Sequence, residues 1–495
     1  MMRRRRRAAR WHRGRQDRWR QLYHDTRRAI RDAKRNTAST IEQHPPASSK
    51  FANGIRRVMG FINKNTKLDI FSGLSDLDVS VRIRDHFTTI CRKYPPIQPT
   101  NLPSFLPDLP PEPIDELQLC RRLSSLKLGK ASPPDDIDRR ILKEFAPEFS
   151  KPLAHIFNIC LRTGTFPDRW KLATITPLPK VKLVQELGEL RPESPTPVLG
   201  KVLEKMVAEM VLADIRPNLD PRQYGNLKGC STTHYLVYLL DCIMKGLDDL
   251  KPTIVSILLV DFKKAFDYVN HTVAITQLFL LGCRPNLLKF ISNFLTGRCH
   301  RVRYQTSVSD YDDITCGVPQ GTTLGIVVFL AVVDSLCRNV EERAKYVDDL
   351  TMLEIIKIRD RIVHLMQTYL DGLVQDCSDA DVTTNPVKCE CMHTCTAKRP
   401  LTYPDLHLNG TPLPLVQEVK LLGVYLNDEL TWKTHIQHLV TKANKCVFIL
   451  LRGKKFRFTI KSLHTMYQWY IRTGLEYAAP VWHSAWPNAT RNPTT

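Results

Sequence analysis

The stretch RAKYVDDLTMLEII, residues 343–356, places two adjacent aspartates, Asp348 and Asp349, between apolar residues. An apolar, β-rich segment of this kind predicts a buried strand, where carboxylates are costly unless they are paired or bind a metal. A second apolar segment, TIVSILLVDF at residues 253–262, predicts another buried strand, and Asp261 lies at its end. Neighbours on a flat strand point to opposite faces, so we expect a tight hairpin at Asp348–Asp349 to bring at least Asp348 towards Asp261.

Three clustered carboxylates suit one kind of chemistry, the transfer of phosphoryl or nucleotidyl groups by two metal ions about 3.5–4 Å apart. Mg²⁺ takes few protein ligands and leaves its other positions to water and phosphate, so two or three aspartates suffice. We therefore predict that Asp261, Asp348 and Asp349 hold two Mg²⁺ ions, with Mn²⁺ as a substitute. The alternative is that Asp348–Asp349 is merely an exposed turn, a common place for aspartate.

The composition favours a polyanionic partner. The 495 residues include 72 Lys and Arg against 50 Asp and Glu, a net charge of +22. Nucleic acid is the first candidate and an anionic membrane the second. No apolar run approaches a membrane span, and the N-terminal MMRRRRRAARWHR lacks the apolar core of a secretory signal. With 14 scattered cysteines, these features predict a protein of the nucleus or cytoplasm, in a reducing compartment.

The chain divides by composition. Residues 1–50 form a basic N-terminal arm. Its charge pattern is compatible with a solvated helix, a spurious translation start, a nucleic-acid-binding arm or a nuclear address. Residues 51–115 form an extension that ends in a linker, with eight prolines in 95–113. After it, helical and strand patterns mix without a regular βαβα rhythm, which predicts an α+β fold.

Three ordered motifs carry a family resemblance: LLVDFKKAFDYVN (258–270), GVPQGTTLG (317–325) and KYVDDL (345–350). They resemble the central motifs of reverse transcriptases, and the wider match, from residue 126 to residue 482, is to those of non-LTR retrotransposons. The resemblance implies a right-hand polymerase, with fingers and an antiparallel-sheet palm in 116–430 and a helical thumb, shortened, in 431–495. It also implies that the chain is a fragment of a longer element protein.

The resemblance implies a role for each matching residue. Asp261, Asp348 and Asp349 would be the catalytic, metal-binding aspartates, and Phe266 a gate that excludes a ribose 2′-hydroxyl. The residues that would contact substrate are Gln320 in the nucleotide and template pocket, Lys180 and Arg191 on the triphosphate, and Asn385 and Lys388 after the aspartate pair, where Lys388 would assist the leaving pyrophosphate. The structural alternatives are a core aromatic for Phe266, a helix cap for Gln320 and solvated surface charge for the cations.

The function implied is an RNA-directed DNA polymerase that adds dNTPs to a primer 3′-hydroxyl, with an RNA template, a DNA primer or target and no membrane as partners. One alternative is a catalytically weak or dead remnant that only binds nucleic acid, and another is a two-metal polymerase that makes RNA. The segment CECMHTC, residues 389–395, could suggest zinc. Its spacing is not that of a zinc site, and its period of two predicts a strand with cysteines on one face.

Overall fold

The computed structural model describes residues 2–45, 48–59, 69–71, 73–98, 100, 102, 112–128, 137–181, 183–248, 253–357, 365–395 and 405–483. Most of the predicted proline-rich linker lies outside these ranges. The chain divides into two units, one formed by Met1–Thr66 together with Trp432–Thr495 and the other by Lys67–Thr431. Each unit is described by itself below.

Helices and strands alternate irregularly along the chain, which confirms the predicted α+β class. The helices are α1 (Met2–Glu42), α2 (Ser49–Met59), α3 (Asp76–Ile90), α4 (Glu116–Ser124), α5 (Arg139–Glu144), α6 (Ala146–Thr163), α7 (Val198–Ile215), α8 (Thr232–Leu247), α9 (His271–Leu280), α10 (Pro285–Leu295), α11 (Thr323–Asp334), α12 (Met366–Asp379), α13 (Lys433–Phe456), α14 (Ile460–Tyr467), α15 (Thr473–Leu475) and α16 (Ala479–Trp482). A π-helix, Gln468–Arg472, joins α14 to α15. The strands are β1 (Leu172–Pro179), β2 (Leu190–Glu193), β3 (Thr253–Val260), β4 (Arg298–Tyr304), β5 (Ser307–Val308), β6 (Asp312–Ile314), β7 (Arg343–Tyr346), β8 (Asp349–Lys357), β9 (Glu390–Cys395), β10 (His407–Leu408), β11 (Thr411–Pro412), β12 (Glu418–Leu421) and β13 (Val424–Asn427).

The two predicted apolar strands are neighbours in one sheet. This four-stranded sheet has the order β7-β8-β3-β9, and all its pairs are antiparallel. Seven of the eight residues of β3 are buried, as expected of a central strand covered on both faces. The pairing of β3 with β8 runs from Thr253 opposite Lys357 to Val260 opposite Leu350. The ends of the two strands that carry aspartates therefore coincide.

The larger unit also contains a second sheet, two two-stranded sheets (β10-β11 and β12-β13) and a set of buried helices. The second sheet has the order β2-β1-β4-β5, with β6 also on β4, and its β1–β4 pair is parallel. Helix α11 is apolar and buried almost all round, as the run GIVVFLAVVDSL predicts. It packs against α7 and α9, so the helix that follows the GVPQG loop is anchored in the core.

The pattern KKAFDYVNHTVAITQLFLLG, residues 263–282, predicts one helix that ends at Gly282; α9 confirms its second half, but the predicted start of the helix at residues 263–269 is wrong. These residues form turns, and α9 begins only at His271, where the Asn270 side chain accepts a hydrogen bond from the Thr272 N–H (2.9 Å). The carbonyls of Phe266 and Val269 accept bonds from Val318 (2.9 Å) and Gly317 (2.8 Å) instead of from residues one helical turn ahead. Tertiary pairing with the GVPQG loop thus replaces the helix.

The smaller unit is helical. The C-terminal part of α1 packs with α2, α13 and α14 around a core that includes Ala38, Phe51, Ile55 and Ile449. The Glu42 carboxylate accepts bonds from the backbone N–H (2.6 Å) and hydroxyl (2.8 Å) of Thr459 at the start of α14. No helix in the described ranges combines the length and the apolarity needed to cross a lipid bilayer.

Candidate active site

The aspartate pair lies at a two-residue hairpin turn. Tyr346 pairs with Asp349, so Val347 and Asp348 are the turn residues and Asp349 is the first residue of β8. The turn therefore lies one residue earlier than the sequence predicts. The residues Asp348 and Asp349 are exposed, so the prediction that they are buried is wrong and the exposed-turn reading describes their local structure. A simple surface turn, however, would lack the third carboxylate beside it.

Asp261 lies immediately beyond the pair formed by Val260 and Leu350, at the end of the sheet that carries the hairpin. The segment that follows α12 holds it there. Asn385 donates its side-chain N–H to the Asp261 carboxylate (3.0 Å) and its backbone N–H to the Asp261 carbonyl (2.8 Å). The Asp261 N–H points to the sulfur of Cys389 (3.4 Å). Asn385 thus contacts a predicted catalytic aspartate directly.

The three carboxylates interact electrostatically. Protein atoms crowd the hairpin although solvent reaches it, and this burial raises the pKa of Asp348, with a further increase from the charge of Asp261. Burial, followed by the charges of Asp348 and Asp261, raises the pKa of Asp349 to about 6. The charge of Asp261 thus makes it harder to ionise Asp348, and the charges of Asp261 and Asp348 make it harder to ionise Asp349; a bound cation would reduce this repulsion.

The donor set fits Mg²⁺ or Mn²⁺, because carboxylate oxygens are the hard ligands that these ions prefer. Within the described ranges, no three His, Cys, Asp or Glu side chains lie close enough together to hold an ion by themselves. In phosphoryl-transfer enzymes one or two carboxylates usually bind Mg²⁺, and water and substrate phosphates complete its shell. Asp261, Asp348 and Asp349 would be the ligands.

The predicted triphosphate-binding cations form one electrostatic group. Lys180 directly follows β1, and Arg191 lies on β2 opposite Leu178. Burial lowers the pKa of Lys180, the charge of Asp267 opposes this, and the charges of Arg191 and Lys388 lower it further. The charge of Arg191 also opposes the rise in the pKa of Asp348 that burial and Asp261 cause. The cations therefore lie within electrostatic range of one another, and Arg191 within that of the hairpin.

Phe266 and Gln320 occupy neighbouring positions. The Phe266 ring is half-buried and stacks on Phe329 of α11, with centroids 4.3 Å apart. Gln320 donates its side-chain N–H to the Asp267 carboxylate (2.8 Å). Gln320 and Asp267 also line a cavity of about 30 Å³, which has room for one or two water molecules but not for a nucleotide.

Sequence reasoning did not assign a role to Asp267, Asp220 or Gln223. Burial raises the pKa of Asp267, against the bond from Gln320 and the positive charges of Lys180 and Lys264. The only sequence signal was its place beside Phe266, because an acid in a turn is ordinary. Asp220 contacts β7 and Gln223 contacts the turn that follows it, although each lies more than a hundred residues earlier in the sequence. No local sequence pattern predicts contacts over such a separation.

The segment CECMHTC forms β9, as its period of two predicts. Cys389 and Cys391 are buried, whereas Cys395 is exposed. The Cys391 sulfur lies 3.9 Å from the His393 ring and 3.8 Å from the Ser256 hydroxyl of the neighbouring strand. The buried cysteines serve as small packing residues beside β3.

Comparisons with known proteins agree with this geometry. Residues 178–426 match the family described as reverse transcriptase (RNA-dependent DNA polymerase). The chain is 27% identical over 347 residues to the RNA-directed DNA polymerase from mobile element jockey of Drosophila melanogaster, covering 68% of this chain and 37% of that protein. It is 28% identical over 393 residues to the probable RNA-directed DNA polymerase from transposon BS of the same species, covering 76% and 42%.

A third relative is the putative 115 kDa protein in the type-1 retrotransposable element R1DM, 23% identical over 415 residues, which cover 80% of this chain and 38% of that protein. The chain thus spans about two-fifths of the length of these curated relatives. The family match includes the four-stranded sheet, the hairpin and all the predicted site residues. The chain belongs to the reverse transcriptase (RNA-dependent DNA polymerase) family.

Proposed function

We propose that this chain is a retrotransposon-derived RNA-directed DNA polymerase that adds dNTPs to a primer 3′-hydroxyl by two-metal nucleotidyl transfer. One observation carries the proposal: Asp261, Asp348 and Asp349 lie at the same end of one sheet, and the charge of Arg191 acts on Asp348. Carboxylates that can bind divalent ions, with cations near them, suit a triphosphate, because metal ions and cations together neutralise its charge. RNA template, DNA primer or target and dNTPs are the partners proposed.

The residues of the chain have separate tasks in this proposal. The aspartates hold two Mg²⁺ or Mn²⁺ ions, and these supply charge neutralisation and activation of the primer hydroxyl when bound. Arg191 and Lys180 bind the triphosphate, Arg191 with a planar guanidinium suited to two phosphate oxygens. Asn385 orients Asp261 through its two hydrogen bonds. Lys388, three residues further on, stabilises the departing pyrophosphate.

The architecture that we propose is a right hand. The four-stranded antiparallel sheet is the palm, the preceding elements of residues 116–430 supply the fingers, and the helices of residues 431–495 form the thumb. Residues 1–50 are the basic arm and residues 51–115 the extension. Gln320, held by Asp267, would border the pocket for the incoming nucleotide and template base.

Primer extension tests the proposal directly. A DNA primer annealed to an RNA template should be extended by the full chain with dNTPs and Mg²⁺, and EDTA should stop the reaction. Binding of the primer–template at nanomolar concentrations without any extension, in Mg²⁺ or in Mn²⁺, would contradict it and favour a nucleic-acid-binding remnant.

Phe266 provides a prediction about the sugar. Its ring is held by stacking on Phe329, so it would present a fixed obstacle to a ribose 2′-hydroxyl. Phe266→Ala should retain dNTP extension and lower the discrimination against NTPs by about 10²-fold in kcat/KM. Phe266→Tyr, which keeps the ring, is the matched control and should discriminate like the parent. If Phe266→Ala still rejects NTPs as strongly as the parent does, Phe266 is only a packing residue.

A groove in the smaller unit favours nucleic-acid binding independently of catalysis. It has a volume of about 620 Å³ and is lined by Lys34, Phe448, Leu451, Arg452, Lys454, Lys455 and Phe456. Four of these seven residues are cations and none is acidic. The Phe448 side chain is 54% exposed, and the Arg452 guanidinium lies 5.9 Å from its ring. Cations beside an exposed aromatic ring suit a single-stranded nucleic acid, because the cations can contact its phosphates and the ring can stack on its bases.

The salt dependence of RNA binding tests this groove. Replacing Arg452, Lys454 and Lys455 with Gln should weaken binding of single-stranded RNA and reduce the slope of log K against log [salt] by about 2–3. The control replaces Lys50, Arg56 and Arg57 of α2 with Gln, so it removes the same charge. These three residues are exposed and do not line the groove. Equal slopes for the two triple variants would show that only net charge matters.

A further inference from the structure

We propose that Gln223 is a positioning residue for the catalytic turn: its side-chain oxygen holds Val347 in place and thereby sets the direction of Asp348. The inference rests on the proposed function and adds to it a residue outside the aspartate group.

The turn has an unfavourable backbone. Val347 has φ of +61°. This is the left-handed region, which glycine enters freely but a β-branched residue avoids because its Cβ substituents crowd the backbone. Two-residue hairpin turns with positive φ therefore usually carry Gly, Asn or Asp at such a position. Contacts from outside the hairpin must stabilise the turn at Val347.

Gln223 supplies such a contact. Its side-chain oxygen accepts hydrogen bonds from the backbone N–H groups of Val347 (3.1 Å) and Gly225 (2.8 Å). Both hydrogen bonds need an acceptor, and the NH₂ group of the amide cannot be one. The two bonds therefore fix which end of the Gln223 amide faces Val347 and Gly225. A Cβ on Gly225 would lie 2.5 Å from the Val347 nitrogen, so a glycine is required for this close approach.

The segment that carries Gln223 is bonded to the strand leading into the turn. The Tyr224 N–H donates to the Lys345 carbonyl (2.8 Å), and the Lys345 N–H donates to the Arg222 carbonyl (3.0 Å). Gln223 forms a parallel bridge with Lys345 and is 3% exposed. Anchored on both sides and buried, its side chain has little freedom to leave Val347.

The other end of the amide explains why the residue is glutamine. The Gln223 side-chain nitrogen is buried and has no hydrogen-bond partner among the described residues, which is costly for a strong donor. A glutamate would accept the same two bonds without an unpaired donor. It would, however, add a negative charge next to a turn that already belongs to three interacting carboxylates. The unpaired donor is thus the cost of a neutral acceptor at this position.

Hydrogen exchange tests the contact without requiring activity. In the full chain with Gln223→Met, which keeps the length but removes the acceptor, the amide of Val347 should exchange at least about 10-fold faster. Gln223→Glu should retain the protection. The control is Asn293→Leu, which removes another side-chain acceptor, for the Phe166 N–H (2.7 Å), and should leave exchange at Val347 unchanged. Unchanged exchange in Gln223→Met would overturn the proposal.

Primer-extension kinetics test the consequence. Gln223→Met should lower kcat by about 10²-fold through misplacement of Asp348, with little change in the KM for dNTP. Adding Val347→Gly, which removes the need for support of a positive φ, should restore at least about 10-fold of that loss. If Gln223→Met loses as much thermal stability as Asn293→Leu but keeps the kcat of the parent, Gln223 has only a structural role. If the parent extends no primer, the proposed function fails, and the exchange experiment still decides the contact.

Discussion

Replacing Asp348 with alanine is expected to lower the rate of primer extension by about 10³-fold or more, the largest effect on activity predicted here. The loss of a metal ligand removes several kcal/mol of transition-state stabilisation, and each 1.4 kcal/mol corresponds to a factor of ten. Binding of the primer–template should change little, because cations, not carboxylates, contact the phosphate backbone. Single-turnover extension and a binding titration on the same preparation measure both quantities.

Folding and local charge need separate controls in this experiment. Asp348 lies in a group of repelling carboxylates, so its removal should leave the melting temperature equal to or above that of the parent in the absence of metal. Asp371→Ala on α12 removes an exposed carboxylate from the same unit and should extend primers like the parent. Extension by Asp348→Ala within tenfold of the parent would refute the assignment of this residue.

Replacing Asp220 with asparagine is expected to destabilise the larger unit by about 3–5 kcal/mol, the largest effect on stability. The Asp220 carboxylate is fully buried and accepts two hydrogen bonds from Arg343 (both 2.9 Å), and the Lys345 ammonium lies 2.7 Å from it. Removing its charge would leave the buried Lys345 and the largely buried Arg343 without the carboxylate that pairs with both of them. Urea unfolding of the full chain measures the change in free energy.

The control for Asp220→Asn is Asp214→Asn, which breaks a more exposed ion pair with Arg284 (2.8 Å) and should cost about 1 kcal/mol or less. Adding Lys345→Met to Asp220→Asn should recover part of the loss, because one of the unpaired charges is then removed. An Asp220→Asn variant no less stable than Asp214→Asn would show that Asp220 does not stabilise the fold.

The effect of Asp220 should also depend on pH. Burial alone would raise the pKa of Asp220, but the bonds from Arg343 and the charge of Lys345 outweigh it and lower the pKa to about 2. A lowered folded-state pKa means that the contribution is complete above the unfolded pKa of about 4 and is lost as the pH falls through the folded value. The stability difference between parent and Asp220→Asn should therefore be constant above pH 4 and shrink towards pH 2.

Local patterns of side chains predict the strand that ends just before Asp261 and the apolar helix after GVPQG, and the pair Asn409–Gly410 predicts the hairpin turn that joins β10 to β11. The family resemblance, which the comparisons confirm, rests on the same short motifs and on their order. The predicted start of helix α9 at residues 263–269 was wrong for the opposite reason. Its carbonyls bond to a loop some fifty residues away, and such competition leaves no local trace.

The sequence by itself determined which residues could perform the chemistry, because carboxylates, cations and an aromatic ring in a fixed order restrict the function before any fold is known. The tertiary structure alone decided how they are held. Val347 adopts a positive φ beside Gln223, and Asp220 lies between two cations that follow it by more than a hundred residues. A polar residue in a loop has many possible partners, and only the packed chain brings one of them within hydrogen-bond distance.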